Sequence, residues 1–219
     1  MKLTKLLERL DYKVVAGSDN IEITELVNDS RKVVPGSVFV CISGAVSDGH
    51  QYVKDVAEKG AAAVIVEKDV EVPEGLTVIK VENTRYALAL MSAAYFGYPA
   101  EKLKTIGITG TKGKTTTTYM VKAILEEVGH KVGLIGTIEA IIGDKTIPSN
   151  NTTPESYTIQ KYFAQMVEAG CDCVVMEVSS QGLMLHRTQG FVFDYGIFTN
   201  IEPDHIGPNE HKDFDDYLR

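Results

Sequence analysis

Within seven positions, Gly110-Thr111-Lys112-Gly113-Lys114-Thr115-Thr116 gathers two glycines, two lysines and three hydroxyls, a composition suited to holding an anion. Gly110 and Gly113 let the backbone turn so that consecutive N–H groups converge on one point, and a helix opening at Lys114 adds its partial positive end. Lys114 is spaced to reach terminal phosphates, and Thr115 to offer its hydroxyl to magnesium. The strict G-x-x-x-x-G-K-[ST] spacing needs glycine at 108, where Ile108 stands, so this is the shortened G-T-x-G-K-T form. With a strand before it and a helix after it the run is a phosphate cradle, with ATP or a relative as ligand. Without them it is a glycine-rich turn with an incidental Lys-Thr.

The flanks supply both elements. Thr105, Ile106, Ile108 and Thr109 form a β-branched run, and Tyr119, Val121, Ile124 and Leu125 recur at helical spacing. Lys131–Ile138 follows as a strand, which predicts a right-handed β-α-β crossover. Gly143-Asp144 signals a hairpin between 138–142 and 145–147. Asn151-Thr152-Thr153-Pro154-Glu155 predicts a helix entry, with threonine or asparagine as cap, and a helix running to Gly170. Two further strands end in polar residues: Cys173–Val178 in Glu177-Val178-Ser179-Ser180, and Phe193–Thr199 in Asn200-Ile201-Glu202-Pro203-Asp204-His205. Ligands in open α/β sheets gather at such carboxyl ends. A carboxylate at the end of an apolar strand is costly unless it meets a cation or donor. Glu177 is thus a magnesium ligand or water-held base on one reading, a salt-bridge or helix-cap carboxylate on the other. His205 alone reads as a structural or solvent histidine, like His186 and His211. Together with the glycine loop and Glu177 it becomes a candidate metal ligand.

Upstream, Lys2–Leu10 predicts an amphipathic helix, Ile21–Val27 and Ser37–Ile42 two strands, and Asp48 the cap of a helix to Lys59. Ala61–Glu67 and Leu76–Glu82 read as buried strands, and Thr84 opens a helix to Phe96. Strands alternating with helices predict an α/β class, with a small unit over 1–98, a linker at Tyr98–Lys102 and a second unit over 99–219. At 219 residues and 44% hydrophobic content, two modest cores fit. A net charge of −8 and a pI near 5.2 argue against nucleic acid and anionic membranes as partners, so phosphate must be bound locally. No apolar run approaches a membrane span, and MKLTKLLERL lacks a cleavable apolar core. A cytoplasmic protein is expected, with Cys41, Cys171 and Cys173 as small buried strand residues; a lone C-x-C makes neither a disulfide framework nor a zinc site.

Taken together, Asp29-Ser30-Arg31 with Pro35-Gly36 and Phe39-Val40, then the GTKGKTTTT loop, Asn151-Thr152-Thr153-Pro154, Glu177-Val178-Ser179-Ser180 with Arg187, and Thr199-Asn200 with Asp204-His205 resemble the Mur ligases in motif order. These are ATP-dependent amide-forming enzymes of peptidoglycan precursor synthesis. The set is most similar to members that add the third stem-peptide residue, diaminopimelate or lysine, to UDP-N-acetylmuramoyl-L-alanyl-D-glutamate. The resemblance implies a uridine-binding N-terminal α/β domain followed by a Rossmann-like central ATPase domain with the phosphate loop. It also implies ATP and Mg2+ as cofactors; a monomer is the default expectation, since the sequence does not encode an oligomeric state.

By position, Ser30 matches the uridine-contacting serine, while Asn151, Thr152, Thr153, Ser179 and Arg187 match residues that hold the muramoyl dipeptide. Gly110 through Thr116 would hold ATP, and Thr115, Glu177 and His205 would hold magnesium. Lys114, Glu177 and His205 would then carry the catalytic roles. In this family the D-glutamate carboxylate takes the γ-phosphate to give an acyl phosphate, which the incoming amine displaces; two anions must meet, so cations and N–H donors supply most of the help.

The resemblance departs at Ile206-Gly207-Pro208-Asn209-Glu210-His211, where the commoner pattern is Leu-Asp-Tyr-His-Gly. The family's carbamylated lysine would fall beyond Arg219, as would its third domain, so an inactive N-terminal fragment is expected. A folylpolyglutamate synthetase-like ligase, a phosphate-loop kinase or switch, and a binding-only UDP-sugar module are the competing readings. The extra N-terminal unit disfavours the first.

Overall fold

The computed structural model describes residues 1–44, 47–207 and 210–218. Pro208 and Asn209 of the departing segment, and Arg219 at the end of the predicted last helix, lie outside the described residues. The chain is α/β and forms two compact units, Met1–Tyr95 and Phe96–Arg219.

The first unit runs α1 (Leu3–Leu6), β1 (Lys13–Ala16), β2 (Leu26–Val27), β3 (Val38–Val40), α2 (Val53–Glu58), β4 (Ala63–Val66), β5 (Thr77–Lys80) and α3 (Thr84–Tyr95). Its five strands lie in the order β1-β5-β4-β3-β2, parallel except for β1. β3 and β4 are buried along their length, as expected of central parallel strands covered on both faces. The amphipathic start gives one helical turn, not a helix to Leu10, although Leu3, Leu6 and Leu7 are buried as their spacing predicts. β1 escaped the sequence reading because it is an edge strand with an exposed pattern. Asp48 caps a 3-10 turn, Gly49–Tyr52, that leads into α2.

The second unit runs β6 (Lys104–Thr109), α4 (Lys114–Glu127), β7 (Val132–Ile135), β8 (Glu139–Ile142), β9 (Lys145–Pro148), α5 (Ser156–Glu168), β10 (Cys173–Glu177), α6 (Ser180–Met184), β11 (Tyr195–Phe198) and α7 (Phe214–Leu218). Its sheet order is β11-β6-β10-β7-β8-β9, with β11, β6, β10 and β7 parallel and β8-β9 the expected hairpin. β6 and β7 are not neighbours: β10 inserts between them, pairing Glu177 with Ile108. This insertion positions the candidate site, because it sets the end of β10 beside the loop that follows β6. Ile159, Phe163 and Met166 of α5 pack on Ile135, Val174 and Met176 to form the core. Residues Pro99–Lys102, expected as linker, form a 3-10 turn that belongs to this unit.

The predicted Thr/Asn helix cap needs correcting. α5 begins at Ser156 behind Glu155, and no side chain caps it. Thr153 is buried, and its hydroxyl donates to Glu177 O and accepts from Ser179 N at the end of β10. Tertiary hydrogen bonding has claimed the group that the local pattern assigned to the helix.

Candidate active site

β6 delivers the chain into Gly110, whose φ of 131° only glycine adopts readily and where a Cβ would overlap Thr199 Oγ1. Gly113, also at positive φ, is the residue before α4. The loop between them is braced from the end of β11. Thr199 Oγ1 and Asn200 Nδ2 donate to Lys112 O at 2.8 and 2.9 Å, Lys112 N donates to Asn200 Oδ1 at 2.9 Å, and Thr111 N donates to Asn200 O at 3.0 Å. Lys112 Nζ pairs with Glu202, and the buried Thr111 hydroxyl meets Tyr217 Oη at 2.8 Å. Thr116 is exposed on the first turn of α4.

Lys114 folds over this loop, donating from Nζ to Gly110 O at 2.6 Å and Thr111 O at 3.1 Å. Burial holds its pKa below the ordinary lysine value, while the charges of Glu177 and Asp204 oppose that shift. A partly desolvated ammonium resting on carbonyls gains from an incoming anion. Thr115 Oγ1 donates to Glu177 Oε2 at 2.9 Å.

Glu177 has no exposed surface. Besides Thr115 it accepts from Thr137 N at 2.9 Å on Oε1 and from Thr137 Oγ1 at 3.1 Å on Oε2. Three donors from two chain segments satisfy this buried carboxylate; no lysine or arginine neutralises it through a described ion pair. Gly136 lies so close that a Cβ there would overlap Glu177 Oε1. The oxygen set of the Glu177 carboxylate and the Thr115 hydroxyl beside the glycine loop would suit a hard divalent cation.

A polar cavity of about 320 Å3 adjoins this arrangement, and Asn151, Thr152, Thr153, Ser179, Arg187 and His205 all line it. Thr137 also lines it, and its hydroxyl meets Thr152 Oγ1 at 3.0 Å. Ser179 caps α6 through Gly182 N and donates to Thr153 Oγ1 at 3.1 Å. Arg187 is held by Nε to Glu155 Oε1 at 2.9 Å and Nη1 to Thr153 O at 3.0 Å. His205, in a left-handed conformation, stands edge-on to Tyr217 with Nδ1 3.8 Å from Glu210 Oε1. His211 also lines the cavity, buried, with Nδ1 3.2 Å from Asp216 Oδ2 and Nε2 without a hydrogen-bond partner among the described residues.

Ser30 belongs to the other unit. It opens a 3-10 turn capped by Asp29, and its carbonyl accepts from Lys59 Nζ at 3.1 Å. The Arg31 side chain hydrogen-bonds Asp29 and lowers that carboxyl to about 2. Thr137, Asn200 and Glu155 were missed as site residues by sequence reasoning. Asn200 was visible as a polar strand end, but Thr137 and Glu155 gain meaning only from what they touch.

A glycine loop between strand and helix, a braced lysine and a carboxylate at the end of the adjacent strand define a phosphate-loop α/β unit, with a polar cavity opening beside it. The chain belongs to the Mur ligase family: residues 108–219 match the Mur ligase middle domain, and residues 22–96 match the description "Mur ligase family, catalytic domain". It is 48% identical over 217 residues to UDP-N-acetylmuramoyl-L-alanyl-D-glutamate--2,6-diaminopimelate ligase of Clostridium perfringens, covering 99% of this chain and 44% of the relative. It is 49% identical over 219 residues to ligase 1 of that name from Clostridium acetobutylicum, covering 100% of this chain and 45% of the relative. The chain thus spans less than half the length of these relatives. A solved structure of a ligase of that name superposes with a TM-score of 0.81 at 21% identity, covering 99% of this chain and 43% of that one. MurF from Acinetobacter baumannii superposes at 0.58 with 21% identity, covering 94% and 42%. At these identities the structures attest the fold. Among the described residues no helix is long and apolar enough to cross a membrane.

Proposed function

We propose that this chain forms the precursor- and nucleotide-binding portion of a cytoplasmic, ATP- and Mg2+-dependent ligase. The ligase would join diaminopimelate to UDP-N-acetylmuramoyl-L-alanyl-D-glutamate in peptidoglycan synthesis. The observation that carries the reading is convergence: residues from four separate stretches, 137, 149–153, 179–187 and 205–211, line one cavity, and its Thr137 touches the carboxylate that meets the glycine loop. The names of the similar proteins favour diaminopimelate over lysine as the amino acid added. A monomer is the simplest state for this activity.

Each residue then has a physical task. With the N–H groups of Thr111 and Lys112 held by Asn200, the backbone N–H groups at the start of α4 receive ATP phosphates, and Lys114 turns from the carbonyls of Gly110 and Thr111 toward them. Thr115, Glu177 and His205 would hold magnesium, which supplies charge neutralisation between phosphate and carboxylate oxygens when bound. Arg187, fixed by Glu155 and Thr153, offers a cationic hydrogen-bonding edge to the acidic dipeptide portion. Asn151, Thr152, Thr153 and Ser179 orient its polar groups, and Ser30 contacts uridine in the first unit.

The test is calorimetric titration of the chain with UDP-N-acetylmuramoyl-L-alanyl-D-glutamate and, separately, with ATP and Mg2+. Saturable precursor binding is expected, weakened at least about tenfold by Arg187→Ala, as befits loss of a charged hydrogen bond. A folded chain that takes up ATP but no precursor would replace this reading with a phosphate-loop kinase or switch.

A further inference from the structure

Thr137 belongs to no motif in the sequence, yet it stands where the two parts of the site meet. A hydroxyl carries one proton, so the directions of its hydrogen bonds can be worked out. Thr137 Oγ1 donates that proton to Glu177 Oε2 at 3.1 Å. The 3.0 Å contact between Thr137 Oγ1 and Thr152 Oγ1 therefore runs with Thr152 as donor. The result is a directed chain, Thr152 to Thr137 to Glu177, and Thr115 of the phosphate loop donates to the same Oε2 at 2.9 Å. Its cavity end is half-buried Thr152 and its other end is a carboxylate with no solvent contact.

We propose that Thr137 is a positioning residue that couples occupancy of the phosphate loop to occupancy of the polar cavity through this chain of three hydroxyls and one carboxylate. The inference rests on the reading above, that nucleotide with its cation and the acidic muramoyl dipeptide occupy these two places. The sign of the coupling follows from hydrogen-bond cooperativity. Were Glu177 Oε2 to help hold a cation, it would be a weaker acceptor, so Thr137 O–H would be less polarised and its oxygen would accept less strongly from Thr152. The Thr152 proton is then freer to be donated to an anionic or carbonyl group in the cavity. Each ligand makes the other bind more tightly, and by linkage the factor is the same in both directions.

The experiment measures the dissociation constant of the chain for UDP-N-acetylmuramoyl-L-alanyl-D-glutamate with and without Mg2+ and a non-hydrolysable ATP analogue, alongside the melting temperature. The unmodified chain is expected to show a ratio of about fivefold or more, the lower end of ordinary coupling. Thr137→Ser keeps the hydroxyl and the ratio. Thr137→Val brings the ratio to within about twofold of one, Thr152→Val does the same, and the double variant loses nothing further, as members of one chain must. Should Thr137→Val fail to fold, Thr152→Val decides alone.

A wild-type ratio of one, a Val variant that keeps the full ratio, or a double variant that loses the sum of two separate effects would overturn the coupling while leaving the proposed function standing. Absence of precursor binding by the folded unmodified chain would overturn the proposed function, and the coupling with it.

Discussion

At Glu177 one buried carboxylate is satisfied by the Thr115 hydroxyl and by the N–H and hydroxyl of Thr137, and its environment makes substitutions there informative. Glu177→Ala leaves three donors facing a void; we expect loss of Mg2+-dependent nucleotide binding by calorimetry and destabilisation of roughly 1–3 kcal/mol by denaturant titration. Lys114 gives a pH signature. Its pKa is held below 10.5 by burial, and a bound phosphate restores the charged form, so nucleotide affinity falls as pH rises through the lowered value. Binding is then accompanied by proton uptake, measurable calorimetrically in alkaline buffers of different ionisation enthalpy; no uptake at any pH up to 10.5 would mean that Lys114 does not meet the phosphate. Asp29 behaves in the opposite sense. Its folded value of about 2 lies below the ordinary 3.8, so the stability it contributes is complete above 3.8 and disappears as pH falls toward 2. Carboxyl titration followed by NMR should place its midpoint near 2, and Arg31→Gln should raise it toward 3.8.

At the scale of elements, the insertion of β10 between β6 and β7 brings Glu177 to the phosphate loop, and α5 clamps that arrangement from one face. Phe163 is fully buried there and meets Phe191 edge-on at a centroid distance of 5.0 Å. Phe163→Ala should cost about 3–5 kcal/mol in chemical unfolding of the second unit, the range for emptying an aromatic core position. A cost under 1 kcal/mol would mean that α5 does not anchor the sheet. The elements were largely legible in the sequence: the loop, α4, the hairpin, α5 and β10 follow from β-branched runs, helical spacing and Gly-Asp. Three were misjudged for local reasons with nonlocal causes. β1 pairs at an edge without burying a face, α1 stops after one turn, and Thr153 abandons helix capping for the end of β10.

For the whole molecule, each unit carries its own core. In the first, Phe39, Val53, Val56, Val64 and Val78 pack together, so residues 1–95 expressed alone should give a cooperative thermal transition; a non-cooperative melt would overturn that independence. The sequence by itself determined the α/β class, the phosphate loop, the polar strand ends and the family, because those depend on residue type and spacing within short stretches. The tertiary structure alone decided that Thr137 joins Glu177 to Thr152, that Asn200 braces the loop, and that Glu155 holds Arg187. Those partners lie 15 to 88 residues apart in the chain, and no local periodicity encodes a hydrogen bond between strand ends that only the sheet order brings together.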